Sequence, residues 1–208
     1  MTAAFDPEPT GRRAERRREI LDAAAALFRT QGYASTTIRD IGARAGVNHA
    51  SSHYYFGSKA AILYTLYEEA LDAFLARIDE IPEGPPDAVL ADFVRAAVHE
   101  AARRPDHSAV FFQERQWLES HFPPPQCAAL RARQARFRAR LTETVEAGVA
   151  QGRLRPIDPG IVVETVVGIA TWAYQTASTA GRAELDEAAE QCVQLVLAGA
   201  RIDQGEKR

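Results

Sequence analysis

Apolar residues recur at three- and four-residue steps along most of the chain, which is the spacing of one helix face. Ile20, Leu21, Ala24, Leu27 and Phe28 form the first stripe and predict a helix over 13–30, closed by Gln31-Gly32. A second, short helix is predicted from Thr37. Thr37 followed by Asp40 has capping-box spacing, with Asp in place of Glu or Gln, and Gly46 ends the helix. A third short helix fits 48–55, before Gly57-Ser58. A longer one fits 59–80, with Leu63, Leu66, Tyr67, Ala70 and Phe74 on one face. Further helices fit 87–103, 106–120, 125–150, 159–179 and 183–202, punctuated by Pro105, Pro123, Gly152, Pro156 and Gly181. The segment 159–179 is rich in β-branched residues (Val162, Val163, Val166, Val167, Ile169) and has the composition of a buried strand. Its length and the lack of a partner strand favour a helix. No hairpin dipeptide is present, so the expected fold is all-α, with about nine helices.

Charge divides the chain. The net charge of the 208 residues is −3. Residues 1–60 carry eight Arg and Lys59 against six acidic residues, a net of +3, which leaves −6 for residues 61–208. A small basic head on an acidic body suggests an anion-binding module, nucleic acid included. Lysine occurs only at Lys59 and Lys207. The two cysteines, Cys127 and Cys192, form no CxxC pair and fit a reducing compartment. The most apolar run, 161–174, is interrupted by Glu164 and is shorter than a bilayer span. With no secretory pattern at the N-terminus, the expectation is a cytoplasmic protein without a membrane partner.

The window 35–59, STTIRDIGARAGVNHASSHYYFGSK, holds two short helices joined at Gly46-Val47-Asn48, a helix-turn-helix pattern. In such a unit the second helix enters the major groove while flanking groups hold phosphates. Asn48, His49, Ser51 and His53 are small or polar groups able to meet base edges, and Tyr54, Tyr55 and Lys59 can reach phosphate oxygens.

At Ala26-Leu27-Phe28, Gly32-Tyr33, Thr36-Thr37-Ile38, Asp40-Ile41, Ala45-Gly46-Val47 and Tyr54-Tyr55-Phe56-Gly57-Ser58-Lys59, the chain resembles the tetracycline-repressor family of transcriptional regulators. The resemblance implies a three-helix DNA-binding head and a helical body that binds a small molecule and dimerises. The implied segments are an arm at 1–11, a helix-turn-helix domain at 12–58, an effector-binding and dimerisation domain at 59–203 and a tail at 204–208. Thr37 would cap the second helix near phosphate. Asn48, His49, Ala50 and His53 would face bases, and Ser51, Tyr54, Tyr55 and Lys59 would hold the backbone. Two residues depart from the family pattern: Ser52 replaces an aliphatic packing residue, and His53 a common tyrosine.

In the body, Leu185, Ala189, Cys192 and Val196 fall on one stripe, as do Val162, Val166, Ile169 and Ala173 on the preceding helix. The resemblance makes these a dimer interface; an intrachain core stripe has the same periodicity. Phe93, Phe111, Gln113, Glu114, Trp117, Phe137, Trp172 and Tyr174 are the candidates for an effector pocket. Arg131, Arg133, Arg136, Arg138 and Arg140 flank the stripe Leu130, Gln134, Phe137, Leu141. They read first as side chains lying along the rims of a buried stripe, and second as one rim of an anion-binding pocket.

No nucleophile elbow, phosphate loop, zinc-protease motif or dinucleotide fingerprint occurs, so no catalytic residue, cofactor or metal site is expected. His49 and His53, at i and i+4, suit DNA better than a metal. The expected function is a homodimeric regulator, a repressor released from a palindromic double-stranded operator by an unknown small-molecule effector. Two alternatives stay open: a DNA-binding regulator without a small ligand, and a small-molecule enzyme or carrier with a vestigial head.

Overall fold

The computed structural model describes residues 11–47, 55–114, 117–177 and 179–201. Its elements are α1 (Gly11–Gln31), α2 (Ile38–Arg44), α3 (Lys59–Asp79), α4 (Pro86–Arg103), α5 (Pro105–Gln113), α6 (Leu118–His121), α7 (Pro124–Ala150), α8 (Pro159–Thr176) and α9 (Arg182–Ala200). Apart from one isolated bridge, Leu154 with Arg201, no strand pairing occurs among the described residues. The all-α expectation therefore holds, including the β-branched segment, which forms α8. Pro86, Pro105, Pro124 and Pro159 open four of the helices, where the missing N–H costs nothing and φ is already helical.

The head is built from short-range rules. Ile20, Leu21, Ala24 and Phe28 are buried along α1. Gly32, at φ 82°, takes the left-handed turn that ends α1 and returns its N–H to Phe28 O at 2.9 Å. Thr37 caps α2 as its spacing predicts: Thr37 Oγ1 accepts the Asp40 N–H at 3.2 Å, and Asp40 Oδ2 accepts the Thr37 N–H at 2.9 Å. Bonding from the Thr37 hydroxyl and backbone holds the Asp40 carboxyl below its usual pKa.

In the body, α4 packs on α8 and α9 around Leu90, Phe93, Val94, Val163, Val166, Ala189 and Val193. Asp87, buried at the start of α4, accepts Arg153 Nε at 2.5 Å and Arg201 Nη2 at 2.7 Å, which ties in the chain after α7 and the end of α9. The Arg153 bond, above all, lowers its carboxyl pKa. The apolar cluster around α1 and α2 runs through α3 and takes in Val110, Phe122, Cys127 and Leu130 from the body. The boundary expected at 58–59 therefore falls on the Ser58 cap of α3 and does not divide the packing.

One expected helix, 106–120, is two. α5 stops at Gln113, and α6 starts at Leu118. The break is at Glu114, whose buried carboxylate accepts the Tyr33 backbone N–H at 2.9 Å. This partner is 81 residues away in sequence, and local periodicity carries no trace of it.

Candidate functional site

Of the residues expected to meet DNA, Asn48, His49, Ala50, Ser51, His53 and Tyr54 lie outside the described residues, as does Ser52. Thr37 is exposed, and its hydroxyl also donates to Asp40 Oδ2 at 2.7 Å. Tyr55 and Phe56 are half-buried against the head's core, and the Arg17 guanidinium lies 5.1 Å from the centroid of Phe56.

Lys59 does something the sequence did not suggest. Its ammonium donates to Tyr33 O and to Thr36 O, both at 2.7 Å, and sits 4.2 Å from the centroid of the Tyr33 ring. It clamps the start of α3 to the α1–α2 turn. Desolvation lowers its pKa, and attraction to Glu114 opposes that. Tyr33 itself packs against Phe28, Trp117 and His121, with centroids 5.3, 5.8 and 5.3 Å away. Burial first, and then Glu114, raise the pKa of its phenol. Thus Phe28, Gly32, Tyr33 and Lys59, four of the residues that carry the family resemblance, converge on one joint between head and body.

Ion pairs extend that joint. Arg29 Nη1 meets Asp106 Oδ1 at 2.8 Å, and Arg17 Nη1 meets Glu69 Oε1 at 3.2 Å. Asp22 Oδ1 pairs with Arg104 Nη2 at 2.7 Å and lies within hydrogen-bond distance of His107 Nε2, at 2.8 Å. His107 is buried, and its Nδ1 has no partner among the described residues. Burial, helped by Arg104, pushes its pKa below the ordinary histidine value. Arg39 and Arg44, on α2, are exposed and make no ion pair with any described residue. Sequence reasoning passed over both, although their place in the first helix of the motif was visible.

The body encloses a cavity of about 450 Å³ between α3, α4, α5, α7 and α8. Of the candidates for an effector pocket, Phe93, Phe111, Gln113, Phe137 and Tyr174 line it. Glu114, Trp117 and Trp172 do not line it. Glu114 turns to Tyr33, Trp117 packs beside Tyr33, and Trp172 is 41 % exposed on the outer side of α8. Trp172 and Tyr174 are two residues apart on one helix, so they face nearly opposite ways. Tyr67, Phe74, Phe112, Gln134, Thr171 and Gln175 complete much of the wall, with Arg77 and Arg138. Arg138 Nη1 also meets Glu164 Oε1 at 2.7 Å. The other rim is structural. Arg133 pairs with Glu68 and Asp72, Arg136 with Asp79, and Arg140 donates to the carbonyls of Ile78 and Ile81.

The residues expected at a dimer face lie on the side of α8 and α9 that packs within the chain. Val162, Val166, Ala173 and Ala189 are at most 3 % exposed within a single chain. Ile169, Cys192 and Val196 pack against the same core, and Leu185 is half-buried. The stripe seen in the sequence is the one that holds α8 and α9 to α4. The opposite faces are open: Ile161, Thr165, Gly168 and Trp172 on α8, and Gln191, Leu195 and Ala198 on α9. Ile161 is 60 % and Leu195 75 % exposed.

Comparison with known proteins agrees with this architecture. Residues 20–65 match the family model for bacterial regulatory proteins of the tetR family, and residues 83–200 match that for the tetracyclin repressor-like C-terminal domain. The chain belongs to the tetracycline-repressor family of bacterial transcriptional regulators. Among its relatives in this family is the HTH-type transcriptional repressor KstR2 of Mycolicibacterium smegmatis, 26 % identical over 205 residues, 97 % of this chain and 98 % of that protein. The structure of the ketosteroid transcriptional regulator KstR2 of Mycobacterium tuberculosis aligns with a TM-score of 0.76 at 25 % identity, covering 90 % of this chain and 96 % of that one. AibR, solved with isovaleryl coenzyme A and operator DNA, has the same fold with a TM-score of 0.71 at 23 % identity, covering 86 % and 97 %. No helix among the described residues is long and apolar enough to cross a membrane, and none of them group into a cluster that could hold a metal ion.

Proposed function

We propose that the protein is a homodimeric repressor that leaves a palindromic operator when a small molecule fills the 450 Å³ cavity, and that it performs no catalysis of its own. One observation carries the reading: α5 belongs to both sites. Phe111 and Gln113 line the cavity, while Asp106 and Glu114, near its two ends, bond to Arg29 and Tyr33 of the head. A ligand that prefers a different setting of α5 therefore biases the head, and by no more than its differential affinity for the two states. Asn48, His49, Ala50 and His53 are assigned to base edges, and Ser51, Tyr54, Tyr55 and Thr37 to the sugar-phosphate side. Arg39 and Arg44 are added there, because exposed guanidinium groups on α2 suit phosphates. The second subunit is assigned to the open faces of α8 and α9, with Trp172 and Leu195 near the centre; the exposed Gly168 has no neighbour within 4 Å of an added Cβ, leaving room for close helix approach.

Selection of bound sequences from random DNA with the purified protein tests the reading. The expected product is a site with two-fold symmetry and half-sites one helical turn, about 34–36 Å, apart. A selected site without symmetry defeats the dimer model. DNA affinity unmoved by every ligand that binds the cavity defeats the effector model.

A further inference from the structure

The cavity wall contains a buried hydroxyl group, that of Tyr174. Tyr174 is 2 % exposed, and its ring lies flat on Phe112, with centroids 5.5 Å and planes 7° apart. Its hydroxyl oxygen accepts Nε2–H of Gln113 at 3.2 Å and Nε2–H of Gln175 at 3.5 Å. Both glutamines line the cavity too, so the hydroxyl lies in the cavity wall. A phenol oxygen that accepts two amide N–H groups still has its own O–H to donate. No described residue accepts that proton. A buried hydroxyl left in this state is unfavourable unless a further acceptor meets it.

The rest of the wall narrows the class of acceptor. Much of it is aromatic, from Tyr67, Phe74, Phe93, Phe111 and Phe137. No Asp or Glu lines it, and its charged members are Arg77 and Arg138. Aromatic faces attract cations. A cation here would find no carboxylate in the wall, because the nearby carboxylates of Glu80 and Glu164 are held by Arg77 and Arg138 at 2.7 Å each. A sugar would bring more hydroxyl groups than the few polar side chains can meet.

We propose that the cavity takes a neutral or anionic apolar molecule of drug size, carrying one carbonyl or carboxylate oxygen that accepts the Tyr174 O–H. This rests on the effector reading given above. Tyr174 is then the residue that selects the ligand, because a site built to hydrogen-bond a group rejects the shape that lacks it.

Four probes on one biphenyl body test it by calorimetry with the full chain: 4-acetylbiphenyl, biphenyl-4-carboxylate, 4-isopropenylbiphenyl and 4-(aminomethyl)biphenyl. The first two are expected to bind ~10-fold more tightly than the isopropenyl probe, which has the shape of the ketone without its oxygen. The ammonium probe is expected to be weakest. Tyr174→Phe should bring the ketone down to the isopropenyl level and leave the isopropenyl probe unchanged. Equal binding of ketone and isopropenyl probes by the wild-type chain overturns the proposal, as does tighter binding of the ammonium probe or no binding by any of the four. The wild-type series decides alone if Tyr174→Phe does not fold. The same probes are then added to the complex with selected DNA. Tyr174-dependent binding that leaves DNA affinity unchanged upholds this proposal and overturns the effector reading. Release of DNA by probes that ignore Tyr174 does the reverse.

Discussion

Replacing Glu114 should uncouple the head from the cavity while leaving the cavity lining intact. The carboxylate is 5 % exposed and accepts the N–H of Tyr33, itself 3 % exposed, at 2.9 Å. Glu114→Ala leaves that N–H buried without an acceptor and removes a charge that attracts Lys59. A hydrogen bond to a charged group contributes about 1.5–3 kcal/mol, and an unpaired buried group costs a similar amount, so a loss of about 2–3 kcal/mol in unfolding free energy is expected. Glu114→Gln keeps an acceptor oxygen and loses only the charge; its expected loss is about 1 kcal/mol. Urea unfolding followed by circular dichroism measures both, at one protein concentration, because an oligomer's stability depends on it. The functional readout is the ratio of DNA affinities with and without saturating ligand. Coupling of this kind is typically about 5–150-fold, and it should fall toward one in Glu114→Ala. A stability loss under about 0.5 kcal/mol, the size of an ordinary surface change, together with an unchanged ratio, would mean that the Glu114–Tyr33 bond neither holds the joint nor carries the coupling.

Lys59→Met should destabilise the fold by about 2 kcal/mol, since it strips two carbonyls of a charged donor; a variant as stable as the wild type would mean that the clamp is dispensable. Arg44→Ala should leave the melting temperature unchanged and flatten the log–log salt dependence of DNA binding by about one unit, and an unchanged slope removes Arg44 from the phosphate contacts. His107, whose pKa in the fold is depressed, favours the neutral ring. Its contribution is therefore complete above the unfolded value of about 6.5 and is lost as pH falls from there through the folded value. Stability measured between pH 7.5 and 5 should drop in the wild type and drop less in His107→Gln; parallel profiles would place the pH dependence elsewhere. If the open face of α9 joins two copies as proposed, Leu195→Glu should give a folded monomer by light scattering, and an unchanged mass would clear this face of the role.

The helices were legible because proline and glycine mark their ends and because local capping at Thr37 and Ser58 needs only neighbours in sequence. What stayed hidden depends on distant partners. Glu114 looks like one more helical residue until Tyr33 is brought to it. Lys59 looks like a phosphate ligand until two carbonyls are found at 2.7 Å. The stripe on α8 is ambiguous for a different reason. α8 carries apolar residues on both sides, Val162 and Val166 inward and Ile161 and Trp172 outward, so periodicity alone cannot say which side its own chain covers. The cavity was half legible: aromatic residues and Gln113 could be picked by type, but Trp172 and Tyr174 could be separated only by the direction in which α8 faces.

The division of charge acquires a second meaning in the structure. Two of the head's eight arginines, Arg17 and Arg29, face carboxylates of Glu69 and Asp106, and the head's Asp22 faces Arg104. These pairs are partly exposed, so each contributes about 0–1 kcal/mol and weakens with salt. Salt therefore loosens the joint between head and body at the same time as it weakens phosphate contacts. If the setting of the joint governs DNA affinity, the salt slope of the wild-type protein contains both effects and overcounts phosphates. The comparison with Arg44→Ala cancels the joint, because that substitution leaves Arg17, Arg29 and Asp22 in place. The difference between the two slopes, and not either slope alone, counts the contact. An additional comparison with Arg29→Ala, which breaks a pair at the joint and lies outside the helix-turn-helix window, should change ligand responsiveness more than the slope. The reverse result would move Arg29 onto the DNA and remove the Asp106 pair from the coupling route.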